Sequence, residues 1–192
     1  MPGVEVKGAF VTAYAATLKN LGLLDAVRGR ASTELREALQ WPPPASVWID
    51  YGIIVEIDAI VHAMRGARMV RRLAHDATMV GIAPLMQTLV QGILRLFGIS
   101  PATLFANMHR VSSQTTRGGR FVWTRTTEFS GLMTMHVPRL RGIDVALWHA
   151  SAGALELVFE ACSVDGTVQE PIAKEDASGT TVEFRLSWQP SV

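Results

Sequence analysis

The spacing of apolar positions changes period twice in the second half of the chain. Phe121, Trp123, Arg125, Thr127 and Phe129 alternate with Arg120, Val122, Thr124, Thr126 and Glu128. Val182, Phe184, Leu186 and Trp188 alternate with Thr181, Glu183, Arg185 and Ser187. Period two is the mark of a strand with one buried and one wet face. It predicts strands over 120–129, 132–137 and 180–188, with a weaker one over 166–174. Ser130-Gly131 supplies the turn of a hairpin between the first two. Between the strand pairs, residues 143–162 form an apolar run with small residues set into it, which predicts a long helix. The order is strand, strand, helix, strand, strand.

The first half has helical spacing instead. Phe10, Tyr14, Thr17, Leu18 and Leu21 share one face, after a short strand over 4–10 and before a stop at Gly22. Leu23 to Arg30 reads as a short helix. Ser32 or Thr33 can cap a helix over 34–40, with Glu34 in the first turn, where the helix dipole favours an acid. Trp41-Pro42-Pro43-Pro44 breaks the chain, since three prolines fix the backbone and remove donors. Further helices are expected over 46–64, 67–80 and 84–97, the last opening on Pro84 and stopping at Gly98. Ser100-Pro101 caps one more, carrying Leu104, Phe105 and Met108. The pattern predicts an α+β fold with a helical N-terminal half. Its antiparallel sheet has four to five strands, crossed by the long late helix. One domain over 1–192 is expected, with a helical part to about residue 112 and a sheet–helix–sheet part over 119–188.

The helix over 46–64 is apolar on more than one face, with Ile53, Ile54, Ile57 and Val61 among its residues. Only Asp50, Glu56, Asp58 and His62 interrupt it. A surface helix shows one apolar stripe. Two coverings remain open: neighbouring helices of the same chain, or a second subunit related by two-fold symmetry. The expectation drawn is a homodimer.

Bulk composition narrows the classes little. Lys and Arg number 18 against 17 Asp and Glu, a formal charge of +1, so nothing draws the chain toward nucleic acid. The one cysteine, Cys162, cannot close an intramolecular disulfide, which agrees with a cytoplasmic location. No secretory leader is read at the start of the chain. The most apolar window, 79–97, is broken by Gly81, Pro84, Gln87, Gln91, Gly92 and Arg95 and is expected to be a core helix, not a membrane span.

Candidate chemistry is sparse. The five histidines are His62, His75, His109, His136 and His149, and no pair has metal-ligand spacing. No nucleophile elbow, phosphate loop or paired buried carboxylates appear, so an enzyme is not expected. Asp50 and Asp58 lie two turns apart on the expected helix with nothing else converging on them. Arg65, Arg68 and Arg72 share one helical face and form a candidate anion patch, since arginine forks match oxyanions. The competing reading is a solvated face partly neutralised by Asp76. Methionine fills irregular cavities and adaptable surfaces. Met79, Met86, Met108, Met133 and Met135 are therefore candidate lining for a ligand pocket between the 79–97 helix and the sheet. Ordinary core packing is the alternative.

The order of elements resembles one superfamily. It contains the 4-vinyl-reductase-type ligand-binding domains, the Bet3-like subunits of the transport-protein-particle tethering complex, and the haem nitric-oxide-binding domains. The residues that carry the likeness are Leu147-Trp148-His149-Ala150-Ser151-Ala152-Gly153-Ala154-Leu155-Glu156-Leu157, followed by 180–188. The chain is also similar to a paralogous family from myxobacteria. The matching residues there are Lys7-Gly8-x-Phe10, Leu35-Arg36, Gly153-x-Leu155-Glu156 and a last strand ending in Trp188. The resemblance implies that the small-residue helix crosses the sheet, with Ala150, Ala152, Gly153 and Ala154 allowing close approach. Glu156 and Glu160 would then mark the wet face. It implies a non-catalytic sensory domain for a small apolar ligand or, as the alternative, a homodimeric adaptor with a protein partner. The haem-binding relatives carry a Tyr-x-Ser-x-Arg clamp for the propionates. The corresponding strand here reads Trp123-Thr124-Arg125-Thr126-Thr127, which lacks it. No cofactor is expected; a haem would have to call on His75 or His109.

Overall fold

Helical and strand segments alternate as the periodicity requires, with differences that matter for the site. The computed structural model describes residues 3–98, 100–138, 145–177 and 179–189, with backbone alone at 82–86, 94 and 97. The first strand, β1 (Glu5–Lys7), leads into α1 (Ala9–Asn20), α2 (Leu24–Arg28) and α3 (Thr33–Gln40). Gly22 ends α1 with φ 67°, and the Ser32 side chain caps α3 by accepting from the Leu35 amide at 3.1 Å. Glu56 then holds the Ser32 amide at 2.6 Å and its hydroxyl at 2.9 Å, tying this cap to the next helix.

The helix expected over 46–64 is shorter. Trp48–Asp50 forms β2, and α4 runs over Gly52–Arg65. The reason is pairing: β2 lies antiparallel to β1, with Val6 opposite Ile49. A third short strand, β3 (Thr116–Arg117), pairs with the other side of β1. Strands of two and three residues show no period, so this small sheet is not visible in the sequence.

Gly66, at φ 76°, turns the chain from α4 into α5 (Ala67–Ala77). A π-helical turn, Thr78–Ile82, connects α5 to α6 (Ala83–Phe97). Ser100 caps α7 (Pro101–Ala106), accepting from the Thr103 amide at 3.2 Å with Pro101 in the first turn, and α8 (Met108–Ser112) follows. The main sheet is antiparallel. Its strands are β4 (Arg120–Thr127), β5 (Ser130–Pro138), β6 (Gly166–Val168), β7 (Ile172–Asp176) and β8 (Gly179–Trp188). The order is β4-β5-β8-β6, with β7 also paired to β8. The one strand expected over 166–174 is thus two, β6 and β7. Helix α9 (Val145–Ala161) lies between β5 and β6 in the chain.

Register places Met133 opposite Phe184 and Met135 opposite Val182 on the inner face. There they meet Leu147, Leu155 and Phe159 of α9 in one apolar core. Phe105, Trp123, Phe159 and Trp188 form an aromatic cluster in it, with Phe105 and Trp123 stacked at 5.0 Å and Trp123 and Trp188 tilted at 6.4 Å. A second core joins α1 to α5 around Leu18, Leu35, Ile57 and Leu73.

Two helix faces differ from expectation. Helix α4 divides its apolar residues between both cores, Val55 into the first and Ile54, Ile57 and Val61 into the second. These faces are buried within one chain, while Ile53 and Ile60 on the remaining side are half-buried. Among the small residues of α9, Gly153 serves a helix–helix contact, while Ala152 packs in the sheet core. A Cβ at Gly153 would overlap the Arg71 carbonyl of α5. Nor is the Glu156–Glu160 side of α9 simply wet, because both carboxylates face α5. Glu156 meets Arg71 at 3.3 Å and Glu160 meets His75 at 2.7 Å.

Candidate functional site: an apolar cavity between helices and sheet

A cavity of about 560 Å³ lies between the two cores. That is within the roughly 300–1,000 Å³ typical of small-molecule sites. Its floor is the sheet, through Phe121, Met135 and Val137. Helix α9 supplies one wall, through Leu147, Ala150, Ala154 and Leu155. Met79, Val90, Leu104 and Met108 come from the segment between α5 and β3, and Phe10 and Tyr14 from α1. The small side chains of α9 leave space that larger residues would fill.

Three of the five methionines expected to form a pocket do line this cavity: Met79, Met108 and Met135. Met133 does not; it is fully buried in the sheet core. The side chain of Met86 lies outside the described residues.

One end of the cavity is polar in a way the spacing did not reveal. Tyr14 and Tyr51 line it, and Asp58 of α4 lies behind them with no exposure. Burial holds the Asp58 carboxyl well above the ordinary carboxylate range, and the Tyr14 hydroxyl partly offsets that. Neither carboxyl oxygen reaches a hydrogen bond of normal distance and angle. Burial, then the nearby Asp58 charge, pushes both tyrosines up, so they stay neutral phenols. Asp58 stood isolated in sequence because its neighbours come from α1 and from the residue before α4. A lone acid on an otherwise apolar helical face was the available clue.

The histidines and arginines lie elsewhere. His75 of α5 bridges Asp76 at 3.0 Å and Glu160 at 2.7 Å. Burial lowers its pKa, but the Asp76 and Glu160 carboxylates more than compensate, so it is raised. His109 is exposed on α8. His62 stacks on His149 of α9 at 5.8 Å, a pairing across helices invisible to spacing. Arg65 closes α4, while Arg68 and Arg72 are exposed on α5 beyond the Gly66 turn. The three therefore do not share one continuous helix. Arg72 pairs with Asp76 at 3.6 Å. Arg71 is the built-in arginine, donating to the Val168 carbonyl at 3.0 Å and the Gln169 carbonyl at 3.3 Å, and so fastening α5 to the sheet edge. Burial pushes the Cys162 thiol up to about 11, as suits a core thiol.

No family model and no curated relative matches the chain. Solved structures do. The Fe(II) unliganded H-NOX protein from K. algicida superposes with a TM-score of 0.64 at 13% identity, over 97% of this chain and 98% of that one. A double variant of Tt H-NOX gives 0.66 at 16% identity, over 97% and 96%. An oxygen-binding H-NOX domain related to soluble guanylate cyclases gives 0.64 at 15%, over 96% and 95%. Over nearly its full length the chain has the H-NOX fold.

The described lining residues do not fit a haem held by histidine or cysteine with its propionates paired. Among the described residues that line the cavity there is no histidine or cysteine to ligate iron, and no lysine or arginine to meet propionates. His75 and His109 are not among them. Arg125, in the strand that would carry a clamp, folds back onto the carbonyls of Thr127 at 2.9 Å and Glu128 at 3.2 Å. Nor is any group of three or more metal-ligating side chains found among the described residues. No described helix is long and apolar enough to cross a membrane.

Proposed function

We propose that this chain is a non-catalytic sensory domain that holds a small apolar molecule, without haem, between its N-terminal helices and its sheet. The observation that carries the reading is the cavity of about 560 Å³, walled by aliphatic and methionine side chains with few polar groups. Its position supports a sensory role. Helix α9 forms one wall, and the same helix is tied through Glu156 and Glu160 to α5. A ligand pressing on α9 acts directly on that contact. The oxygen complex of an H-NOX domain gives a precedent for a small ligand bound by this fold.

The test is titration of the purified protein with the apolar fluorophore N-phenyl-1-naphthylamine, beside native mass spectrometry. One molecule per chain is expected to bind. Ala154→Trp, which fills the cavity from α9, is expected to abolish binding while leaving the circular dichroism spectrum unchanged. Absence of binding by the wild-type protein would overturn the reading, as would a stoichiometric haem absorbance in the purified protein.

A further inference from the structure

The cavity is not uniformly apolar, and at one end two phenols stand in front of a buried acid. We propose that the ligand is an uncharged amphiphile, an aliphatic chain ending in a hydroxyl or carbonyl group, with that head seated at Tyr14 and Tyr51. This rests on the cavity being a ligand site at all. Tyr14 and Tyr51 both line it, from α1 and from the residue before α4, so two phenols from separate elements converge on one end. Behind them the Asp58 carboxyl is fully buried, with the Tyr14 hydroxyl beside it and neither oxygen in a hydrogen bond of normal distance and angle. Buried polar groups are normally satisfied, and leaving one unpaired carries a desolvation penalty. Nothing in the packing of α4 requires an acid there, since its neighbours Ile54, Ile57 and Val61 fill the same core with hydrocarbon.

A hydroxyl or carbonyl head completes this group. Burial keeps Asp58 protonated and both phenols neutral, so the end of the cavity offers hydrogen-bond donors without net charge. Tyr51 can donate to the head oxygen. Tyr14 can donate to it while accepting from protonated Asp58, or accept from a ligand hydroxyl while donating to Asp58. A carboxylate or phosphate head is excluded on charge: no lysine, arginine or histidine is among the described lining residues, and the ionisable side chains nearest the site, Asp58 and Glu160, are acids. An ammonium head at the two phenols would require Asp58 to ionise in a site that strongly favours its neutral form, and the lining acid Glu160 is already held by His75 at 2.7 Å. The rest of the cavity, with Val90, Leu104, Met108, Met135 and Leu155, accepts a flexible hydrocarbon chain.

The experiment compares four ten-carbon probes that differ only in the head: 1-decanol, 2-decanone, decanoate and decylamine. Each displaces N-phenyl-1-naphthylamine from the intact protein at pH 7.5. Decanol and decanone are expected to compete about tenfold or more better than decanoate and decylamine. Tyr14→Phe and Tyr51→Phe are each expected to weaken decanol by about three- to tenfold relative to the fluorophore, whose own affinity is measured on each variant first. Tyr51, only half-buried, is the variant that decides if Tyr14→Phe does not fold. Equal or better competition by decanoate or decylamine would overturn the inference while leaving the cavity as a ligand site. So would phenylalanine variants that bind decanol as the wild type does. Failure of the fluorophore itself to bind would instead overturn the ligand-binding reading from which this one starts.

Discussion

Asp58 shows how a single residue sets a measurable property of the whole chain. Its folded pKa is raised from an ordinary 3.8 by burial. A carboxyl that holds its proton more tightly when folded adds stability below the unfolded value. It loses that contribution as pH rises, because the unfolded chain ionises first. Stability from this group therefore declines upward from about pH 4. Asp58→Asn keeps the shape and removes the titration. The expected outcome is that urea unfolding at pH 4.5 and pH 7 separates wild type from variant, with the variant gaining relative stability at pH 7. Parallel pH profiles for the two proteins would show that Asp58 is not buried as described. His75 has the same sign in a higher window. Its pKa is raised above 6.5, so its contribution is complete below about pH 6.5 and is lost as pH rises through the folded value. His75→Gln is expected to flatten the stability profile across that window, read by the same unfolding measurement. Neither effect was legible from spacing. Sequence separates Asp58 from Tyr14 by 44 residues, and His75 from Glu160 by 85. Only the packing of α1 on α4, and of α5 on α9, brings them together.

At the scale of elements, the strands and helices with a clear period were legible and those without one were not. Residues 120–127 and 179–188 repeat every two positions, and their backbone pairs accordingly. The small sheet of β1, β2 and β3 is too short for any period. Its β2 took three residues from an expected helix because Trp48 and Ile49 suit a half-buried strand as well as a helix. The small residues of α9 were legible as a close contact, but their partner was not, since a glycine records that something approaches and not what. Here the partner is the Arg71 backbone, which gives a sharp expectation. Gly153→Val should cost about 1–3 kcal/mol or more, because backbone on both sides cannot yield as a side chain would. The measurement is chemical denaturation, and a value under roughly 0.5 kcal/mol, typical of a surface change, would refute the packing. Helix α4 offers the parallel case. Ile57 is fully buried and Ile53 half-buried. Ile57→Glu should abolish folding, and Ile53→Glu should leave a folded chain of reduced stability. The reverse ranking, by circular dichroism, would mean that the outer side of α4 is the more critical one.

For the whole molecule, the decisive feature is a space and not a residue, which is why the sequence hinted at it only through methionines. Two apolar cores, one around the sheet and one among the N-terminal helices, meet along α4 and α9 without filling the region between them. An empty apolar volume forgoes dispersion contacts that a ligand would restore. A ligand that binds only the folded chain stabilises it by mass action. At a hundred times its dissociation constant the gain is about 2.7 kcal/mol. For a chain of 192 residues, each kcal/mol moves the melting temperature by roughly 2–4 °C. Saturating decanol should therefore raise the melting temperature by about 5–11 °C, beyond any effect of the alcohol as solvent. Ala154→Trp supplies the control, because it occupies the cavity wall from α9. Its own melting temperature should not respond to decanol in the same way. A shift of equal size in both proteins would locate the alcohol outside the cavity. No shift in the wild type at concentrations that displace the fluorophore would mean that the fluorophore also binds somewhere else.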